Sequence, residues 1–299
     1  MTSAAPMSQG WVARHLPPRP ARAHKGDFGR LLVVAGSTEY PGAAMLVGLG
    51  AMRAGVGVVR VAVAESVASR LAGIVPELTW MVLDEEAPGL IAPSGWRHLT
   101  AESETYDAVV VGPGLGRQPA TQRRTRNLVT ALKVPAVVDA DGLNALAEGR
   151  SWWTGLSAPL VLTPHPGEFA RLRAGAGLVA DDDAERLAAV ADAARQWGQV
   201  VVLKGANTIV AAPDGEVLRS DVASPALATA GTGDVLAGVI GAFLAAGLPP
   251  FVAAGCGVAV HGRAGVIAEE RIGRAGAMAR DVAGLLPEAI EQLRGGEDR

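Results

Sequence analysis

Short apolar, β-branched runs alternate with longer helical patterns through most of the chain, and this alternation limits the fold more than any other feature. The runs are apolar throughout rather than at every second residue, which is typical of strands covered on both faces. The predicted strands are residues 31–35, 58–63, 108–111, 136–139, 160–163 and 200–203. The predicted helices between them are residues 43–54, 121–132, 142–147, 168–172 and 184–197.

Strands that alternate with helices form a mostly parallel sheet flanked by helices on both faces. The sequence therefore predicts an α/β fold of three layers. A hairpin is predicted at 208–211 and 216–218, followed by two long helices and a terminal one. Ligands of such sheets bind beyond the carboxyl ends of the strands, so the residues that follow strands are the candidates for function.

The chain of 299 residues contains no internal repeat and no linker that would divide it. Residues 1–25 are rich in Pro and Arg and have no clear period, so we expect an N-terminal arm there. Residues 26–295 are expected to form a single domain, because 49% of the residues are hydrophobic and can fill one large core.

Composition excludes several classes of function. The formal net charge of −3, without a basic run, argues against a nucleic-acid surface. The single cysteine, Cys256, fits a reducing compartment and is expected to be an inert core residue. The start of the chain has no signal-peptide pattern. The apolar stretch 235–260 is broken at 247–250 into pieces expected to be too short for a membrane span. We therefore expect a cytoplasmic protein with two buried helices.

The most informative local pattern is Gly231-Thr232-Gly233-Asp234, which leads into an apolar helix. Glycines and the free N–H groups of a helix N-terminus suit phosphate, or the charge that develops when phosphate is transferred. Asp234 would then be the base that takes a proton from a hydroxyl. The alternative is an ordinary helix N-terminus, with Thr232 as the cap and Asp234 facing the dipole.

Three further loops follow predicted strands. Residues 36–43 end on Ala43, whose small side chain leaves room for a flat ligand, although a turn before a tightly packed helix explains it equally. The glycine-rich loop 112–116 favours a backbone contact with phosphate or ribose, or is a plain loop. Asp139 and Asp141 are candidates near a Mg²⁺–phosphate cluster, and helix capping by Asp141 competes with that role.

Two loops carry charged or titratable side chains. Pro164 and Pro166 hold His165 in an extended segment, which makes His165 a candidate ligand contact, although a lone histidine is usually structural. Glu168 begins the next helix, where a simple role as a dipole partner is the alternative. The segment 204–208 begins with Lys204, whose point charge suits phosphate, or it is an ordinary turn with an exposed lysine. His261, late in a helix, is expected to be a core or capping residue.

Together these patterns resemble the NAD(P)H-hydrate dehydratases of the ribokinase-like superfamily, and the resemblance runs from His24 to Pro287. The motifs that carry it are H-K-G-x-x-G at 24–29, G-S-x-x-Y-P-G-A-A at 36–44, G-P-G-L-G at 112–116, D-A-D-G-L-N at 139–144, T-P-H-P-G-E at 163–168, K-G-A-N-T at 204–208 and G-T-G-D at 231–234. Kinases of this fold tend to carry Asn where this chain has His165. One departure is Val266, where the family often has Asp.

The resemblance implies a ribokinase-like fold and repair of damaged cofactor. The substrate would be the 6S hydrate of NADH or NADPH, whose C6 hydroxyl is phosphorylated and then eliminated as phosphate. Asp234 would be the catalytic base, and Glu168 would reach Mg²⁺ through water. The hydrate-binding positions would be Ala43, Gly114, His165 and Asp234. The nucleotide-binding positions would be Lys204, Gly205, Ala206, Asn207, Thr208 and Gly233. The anion hole would comprise Gly231, Thr232 and Gly233.

The resemblance also favours ADP over ATP as the co-substrate, a homotetramer, and a separate epimerase as functional partner, since the chain has no room for that domain. The competing function of the same fold is a kinase for a hydroxymethylpyrimidine or thiazole alcohol. A non-catalytic nucleotide-binding regulator is disfavoured, because a sensor does not need the base at Asp234.

Overall fold

The computed structural model describes residues 4–174 and 182–295. Their strands are β1 (Ala5–Pro6), β2 (Arg30–Val34), β3 (Val58–Ala64), β4 (Thr79–Leu83), β5 (Glu85–Ala87), β6 (Leu90–Ile91), β7 (Ala108–Val111), β8 (Ala136–Val138), β9 (Leu160–Leu162), β10 (Val200–Leu203), β11 (Ile209–Ala211) and β12 (Val217–Arg219). Their helices are α1 (Gln9–His15), α2 (Pro41–Arg53), α3 (Glu65–Leu71), α4 (Pro93–Ser103), α5 (Pro119–Ala131), α6 (Asp141–Ala147), α7 (Pro166–Leu172), α8 (Asp183–Trp197), α9 (Thr232–Ala245), α10 (Pro250–Arg271) and α11 (Ala279–Arg294).

One ten-stranded sheet forms the centre of the molecule, in the order β1-β12-β11-β10-β9-β8-β7-β2-β3-β4. Only the pairs of β11 with β10 and with β12 are antiparallel in this sheet. Strand order reverses beside β2, because β3 and β4 lie on one side of it and β7 to β10 on the other. A crevice opens at such a switch point, at the carboxyl ends of the strands.

Helices cover both faces of the sheet, which confirms the predicted three-layer α/β fold. On one face α2, α9, α10 and α11 pack against one another, and on the other α5, α6 and α7 do so while α8 covers β10 and β11. The strands between these layers are fully buried apolar runs, as in β7 and β10. Their uninterrupted apolar sequence reflects this burial on both faces.

The first residues of the chain are more regular than their sequence indicates. β1 pairs in parallel with β12, and α1 buries Val12 completely. The ring of Trp11 lies so close to α10 that a Cβ on Gly255 would be 2.7 Å from it. This segment therefore packs against the sheet edge and α10, although its Pro- and Arg-rich sequence has no clear period.

The expectation that both apolar pieces after residue 235 are too short for a membrane span was wrong for the second piece. The helix α10 has 22 residues and is long and apolar enough to cross a membrane by length and composition. However, 78% of its most apolar window is buried inside the molecule, so it packs as a core helix. Cys256 lies in it and is fully buried, and burial raises the pKa of its thiol to about 12.

Candidate active site

The loops after β2 and β7 are joined directly at the switch point. The amide of Gly36 donates to the carbonyl of Pro113 at 2.7 Å, and the amide of Gly112 donates to the carbonyl of Val34 at 3.0 Å. The chain then diverges into α2 on one side and the loop 112–118 on the other. Two of the predicted substrate positions, Ala43 and Gly114, lie on either side of this crevice.

Ala43 and Gly114 are in close contact. Gly114 has φ +65°, and a Cβ placed on it would lie 2.8 Å from the Cβ atoms of both Ala43 and Tyr40. A larger residue at either position would push the two loops apart. The small residues predicted to make room for a substrate are therefore brought together at the mouth of the crevice.

A charged cluster lies beyond the ends of β8, β9 and β10. Lys204 Nζ is 2.8 Å from Asp139 Oδ1 and 3.9 Å from Glu168 Oε2. Asp139 is 1% exposed and Glu168 is 5% exposed. Burial disfavours the ammonium, but the two carboxylates outweigh it and raise the pKa of Lys204. The pKa of Glu168 is also raised, mainly by burial.

His165 caps the N-terminus of α7. Its Nδ1 accepts a hydrogen bond from the amide of Gly167 at 3.0 Å, and its own amide donates to Glu168 Oε2 at 2.9 Å. Because Nδ1 is an acceptor, the neutral ring carries its proton on Nε2. Burial and the charges of Lys204 and Arg171 lower the pKa of His165, so the ring is neutral at pH 7. The His165 side chain is half exposed, and its Nε2 lies 3.5 Å from Glu168 Oε1.

The Gly231–Asp234 segment begins α9, but not as an ordinary capped helix. The N-cap residue is Gly231, with φ +90°, and no side chain caps the helix. The Thr232 hydroxyl is instead directed back to the carbonyls of Leu227 and Thr229, at 2.7 and 2.8 Å. Within residues 4–174 and 182–295, the amides of Gly233 and Asp234 donate to no acceptor. Free amides at the positive end of a helix attract anions.

Asp234 has the properties of a base. Its carboxylate accepts no hydrogen bond from the described residues and belongs to no ion pair among them. Burial is the largest cause that raises its pKa, and the negative charge of Asp139 is the next; Lys204 opposes them, and the result is about 7. Perturbation of this kind is common at functional sites.

A cavity of about 430 Å³ adjoins the start of α9 on the side of the β11–β12 hairpin. Its lining includes Lys204, Gly205, Ala206, Thr208, Thr232 and Gly233. Asn207 and Gly231 are not among its lining residues. Asn207 instead has φ +55° and donates its amide to the carbonyl of Val222, and Gly231 is in close contact with Leu46.

No sequence motif predicted the apolar wall of this cavity. That wall is formed by Val222, Pro225, Leu227, Leu236 and Val258. These residues come from the segment after the hairpin and from two helices, so no local motif unites them. Their chemistry suits a flat apolar group.

His261 also lines the cavity, and this position differs from that of an ordinary core histidine. It is 7% exposed, and its Nε2 has no hydrogen-bond partner among the described residues. Burial is the main cause that lowers its pKa to about 4, so the ring is neutral.

The described residues contain no group of three or more His, Cys, Asp or Glu side chains positioned to hold a metal ion. The carboxylates of Asp139, Glu168 and Asp234 nevertheless surround a single lysine. This excess of negative charge, carried by oxygen donors, fits a hard divalent cation that takes its remaining ligands from water and phosphate.

The strand order, the crevice at the switch point and the anion site before α9 define a protein of the ribokinase-like fold. A family model described as NAD(P)H-hydrate dehydratase matches residues 31–288. The chain belongs to this family.

Individual relatives agree with this assignment. An ADP-dependent (S)-NAD(P)H-hydrate dehydratase of Xanthomonas campestris pv. campestris is 38% identical over 94% of this chain and 96% of its own length. The crystal structure of a Bacillus subtilis ADP/ATP-dependent NAD(P)H-hydrate dehydratase, co-crystallised with ATP/Mg²⁺, has a TM-score of 0.84 and 32% identity, covering 98% of this chain and 100% of that one.

A Bifunctional NAD(P)H-hydrate repair enzyme of Moorella thermoacetica is 42% identical over 96% of this chain. The chain spans 54% of the length of that relative.

Proposed function

We propose that the protein dehydrates the 6S hydrate of NADH or NADPH, using ADP or ATP as the phosphoryl donor. The C6 hydroxyl of the hydrate attacks the terminal phosphoryl group of the nucleotide while Asp234 takes the hydroxyl proton. Phosphate then leaves C6, assisted by the lone pair of the ring nitrogen. Loss of a proton from C5 restores the C5–C6 double bond.

The observation that carries this proposal is the placement of Asp234. A carboxylate whose pKa is raised to about 7 is a stronger base than an ordinary aspartate and is about half ionised at neutral pH. Asp234 lies in the first turn of α9, where the amides of Gly233 and Asp234 are free within the described chain. Those amides would stabilise the charge on the moving phosphoryl group.

The two sides of Asp234 suit the two ligands. The cavity lined by residues 204–206, Thr208 and Gly233 supports the predicted nucleotide site. Its apolar wall would contact the adenine ring of the nucleotide. The contact of Ala43 with Gly114 supports the predicted hydrate site on the crevice side. His165 would donate its Nε2–H to the hydrate there.

We propose that Mg²⁺ accompanies the nucleotide. When bound, it would neutralise charge on the phosphates. Glu168 would hold it through water, since Glu168 Oε2 already accepts from the His165 amide and is not free as a full direct ligand. The surplus of carboxylates around Lys204 supports this assignment.

ADP is proposed as the preferred donor. The Xanthomonas relative is named as ADP-dependent, whereas the Bacillus subtilis structure was obtained with ATP/Mg²⁺. We also propose a cytoplasmic protein that works as a homotetramer alongside an epimerase for the R hydrate. The name of the bifunctional Moorella relative supports a functional pairing of this kind.

The function is tested by adding the 6S hydrate of NADH, Mg²⁺ and either ADP or ATP to the protein. We expect the absorbance of the reduced nicotinamide to recover, faster with ADP. Absence of recovery with either nucleotide would overturn the proposal, and faster recovery with ATP would reverse the proposed preference.

A further inference from the structure

A second polar network lies beside the lysine cluster and is built on the first turn of α6. Asp141 Oδ2 accepts from the amide of Gly116 at 2.9 Å, and its Oδ1 lies 3.4 Å from Arg117 Nε. Asn144 Nδ2 donates to the same Oδ1 at 3.3 Å, and Asn144 Oδ1 accepts from Arg171 Nε at 2.9 Å. Asp141 and Asn144 therefore hold two arginines in place.

Both arginines are exposed and near His165. A Cβ placed on Gly167 would lie 2.9 Å from His165 Cε1 and 3.7 Å from Arg171 Nη1. Arg117 and Arg171 each act on the imidazole through their charge. The charges of both guanidinium groups therefore reach His165, the residue proposed to contact the hydrate.

Among the residues that the structure describes, each of these arginines forms a hydrogen bond through Nε alone. Within the described residues, the Nη groups of Arg117 and Arg171 form no hydrogen bond. A guanidinium held by Nε and open at its Nη groups is suited to phosphate oxygens.

The charges of the two networks are opposite in sign. Around Lys204, the carboxylates of Asp139, Glu168 and Asp234 outnumber the one cation. Around Asp141, the two arginines outnumber the one carboxylate. An anionic group of the hydrate that is not accompanied by a cation would therefore be repelled by the first network and attracted to the second.

We infer that Arg117 and Arg171 bind the diphosphate of the dinucleotide substrate, while Asp141 and Asn144 are positioning residues that orient them. This inference rests on the proposed function, because it requires a dinucleotide at the crevice. It assigns a use to Asp141 and Asn144 of the D-A-D-G-L-N motif. It also places the nicotinamide of the substrate on the Asp234 side of His165 and the diphosphate on the arginine side.

The test compares two hydrates. One is the hydrate of NADH, and the other is the hydrate of dihydronicotinamide riboside, which carries no phosphate. Arg117→Gln is expected to raise KM for the NADH hydrate by roughly tenfold or more and to leave kcat and KM for ADP unchanged. KM for the riboside hydrate should not move. Arg171→Gln should have the same pattern, and Arg117→Lys should restore part of the loss.

The matched control is Arg53→Gln, which removes the same charge from the last turn of α2, at the opposite end of the sheet. An unchanged KM for the NADH hydrate in Arg117→Gln, or an equal rise for both hydrates, would overturn the inference while the wild type remains active. If the wild-type protein itself does not dehydrate the NADH hydrate, the proposed function fails instead.

Discussion

The ammonium group of Lys204 lies 2.8 Å from a carboxylate oxygen of Asp139, and this pair joins the loops that follow β10 and β8. Asp139 is almost completely buried and is also the neighbouring charge that most raises the pKa of Asp234. The ion pair therefore does two things. It neutralises part of a buried negative cluster, and it sets the basicity of the proposed catalytic base.

Asp139→Asn should lower the pKa of Asp234. The substitution removes a negative charge that raises that pKa and leaves the positive charge of Lys204 to lower it. The acidic limb of the kcat–pH profile should therefore move to lower pH. Asp192→Asn, on the exposed surface of α8, is the control with the same change of charge. An acidic limb that stays in place, or moves to higher pH, would show that the ionisation of Asp234 does not control kcat.

Asp234→Asn should stabilise the protein at alkaline pH. The pKa of Asp234 is about 7 in the folded protein and 3.8 as a reference for the unfolded chain. The folded state thus binds the proton more tightly, and the stability it supplies is lost as pH rises between these values. Asn does not ionise, so the variant does not lose this stability as pH rises.

At pH 8 the gain in the free energy of unfolding should lie between about 1 and 4 kcal/mol, and it should vanish below pH ~4. Urea unfolding at several pH values measures it. A variant less stable than wild type at pH 8 would contradict the raised pKa.

His165→Asn and His165→Ala should separate the capping role from the ligand role. Asn is a good N-cap residue and should preserve α7, whereas Ala should cost about 1 kcal/mol of stability. Both variants lose the Nε2–H donor, so both should raise KM for the hydrate. Steady-state kinetics beside urea unfolding gives both quantities. Wild-type kinetics in the Asn variant would show that His165 does not contact the hydrate.

Gly238→Ala should damage the contact between α2 and α9, the helices that begin near Ala43 and Asp234. A Cβ at Gly238 would lie 2.1 Å from the carbonyl oxygen of Val47, so the helices must separate. We expect a loss of about 1–3 kcal/mol in the free energy of unfolding and a lower kcat.

The control for that variant is Gly284→Ala, which lies within α11 and whose Cβ would meet nothing within 4 Å. It should be stabilising by roughly 0.5–1 kcal/mol, because Ala restricts the unfolded chain. Equal effects of the two substitutions would show that the close contact between α2 and α9 does not determine the free energy of unfolding or kcat.

The sequence predicted the centre of the sheet because buried parallel strands are uninterrupted apolar runs. The edge strand β4 was not predicted. Its Thr79 and Val82 are exposed, so it is not buried on both faces as the central strands are. The small β5–β6 hairpin was missed for the same reason, as its first strand is Glu-Glu-Ala. Strand ends shifted by one residue where a polar residue such as Asp139 or Thr163 follows the last ladder pair.

The site was predictable as far as local motifs reach. The motifs named His165, Glu168, Lys204 and Asp234, which the fold brings together at the carboxyl ends of the strands. The pairing of Lys204 with Asp139 joins positions 65 residues apart, and no spacing rule indicates it. Which side chains form the apolar cavity wall depends likewise on helix packing rather than on a motif.

The phosphoryl group transferred beside Asp234 is expected to leave the phosphorylated hydrate as inorganic phosphate. The most direct test measures the stoichiometry of the products. Wild-type protein, 6S hydrate of NADH, Mg²⁺ and ADP should yield reduced nicotinamide and inorganic phosphate in equal amounts. Asp234→Asn should bind both ligands and yield neither product. A stable phosphorylated product without recovery of NADH, or full turnover by Asp234→Asn, would contradict the account.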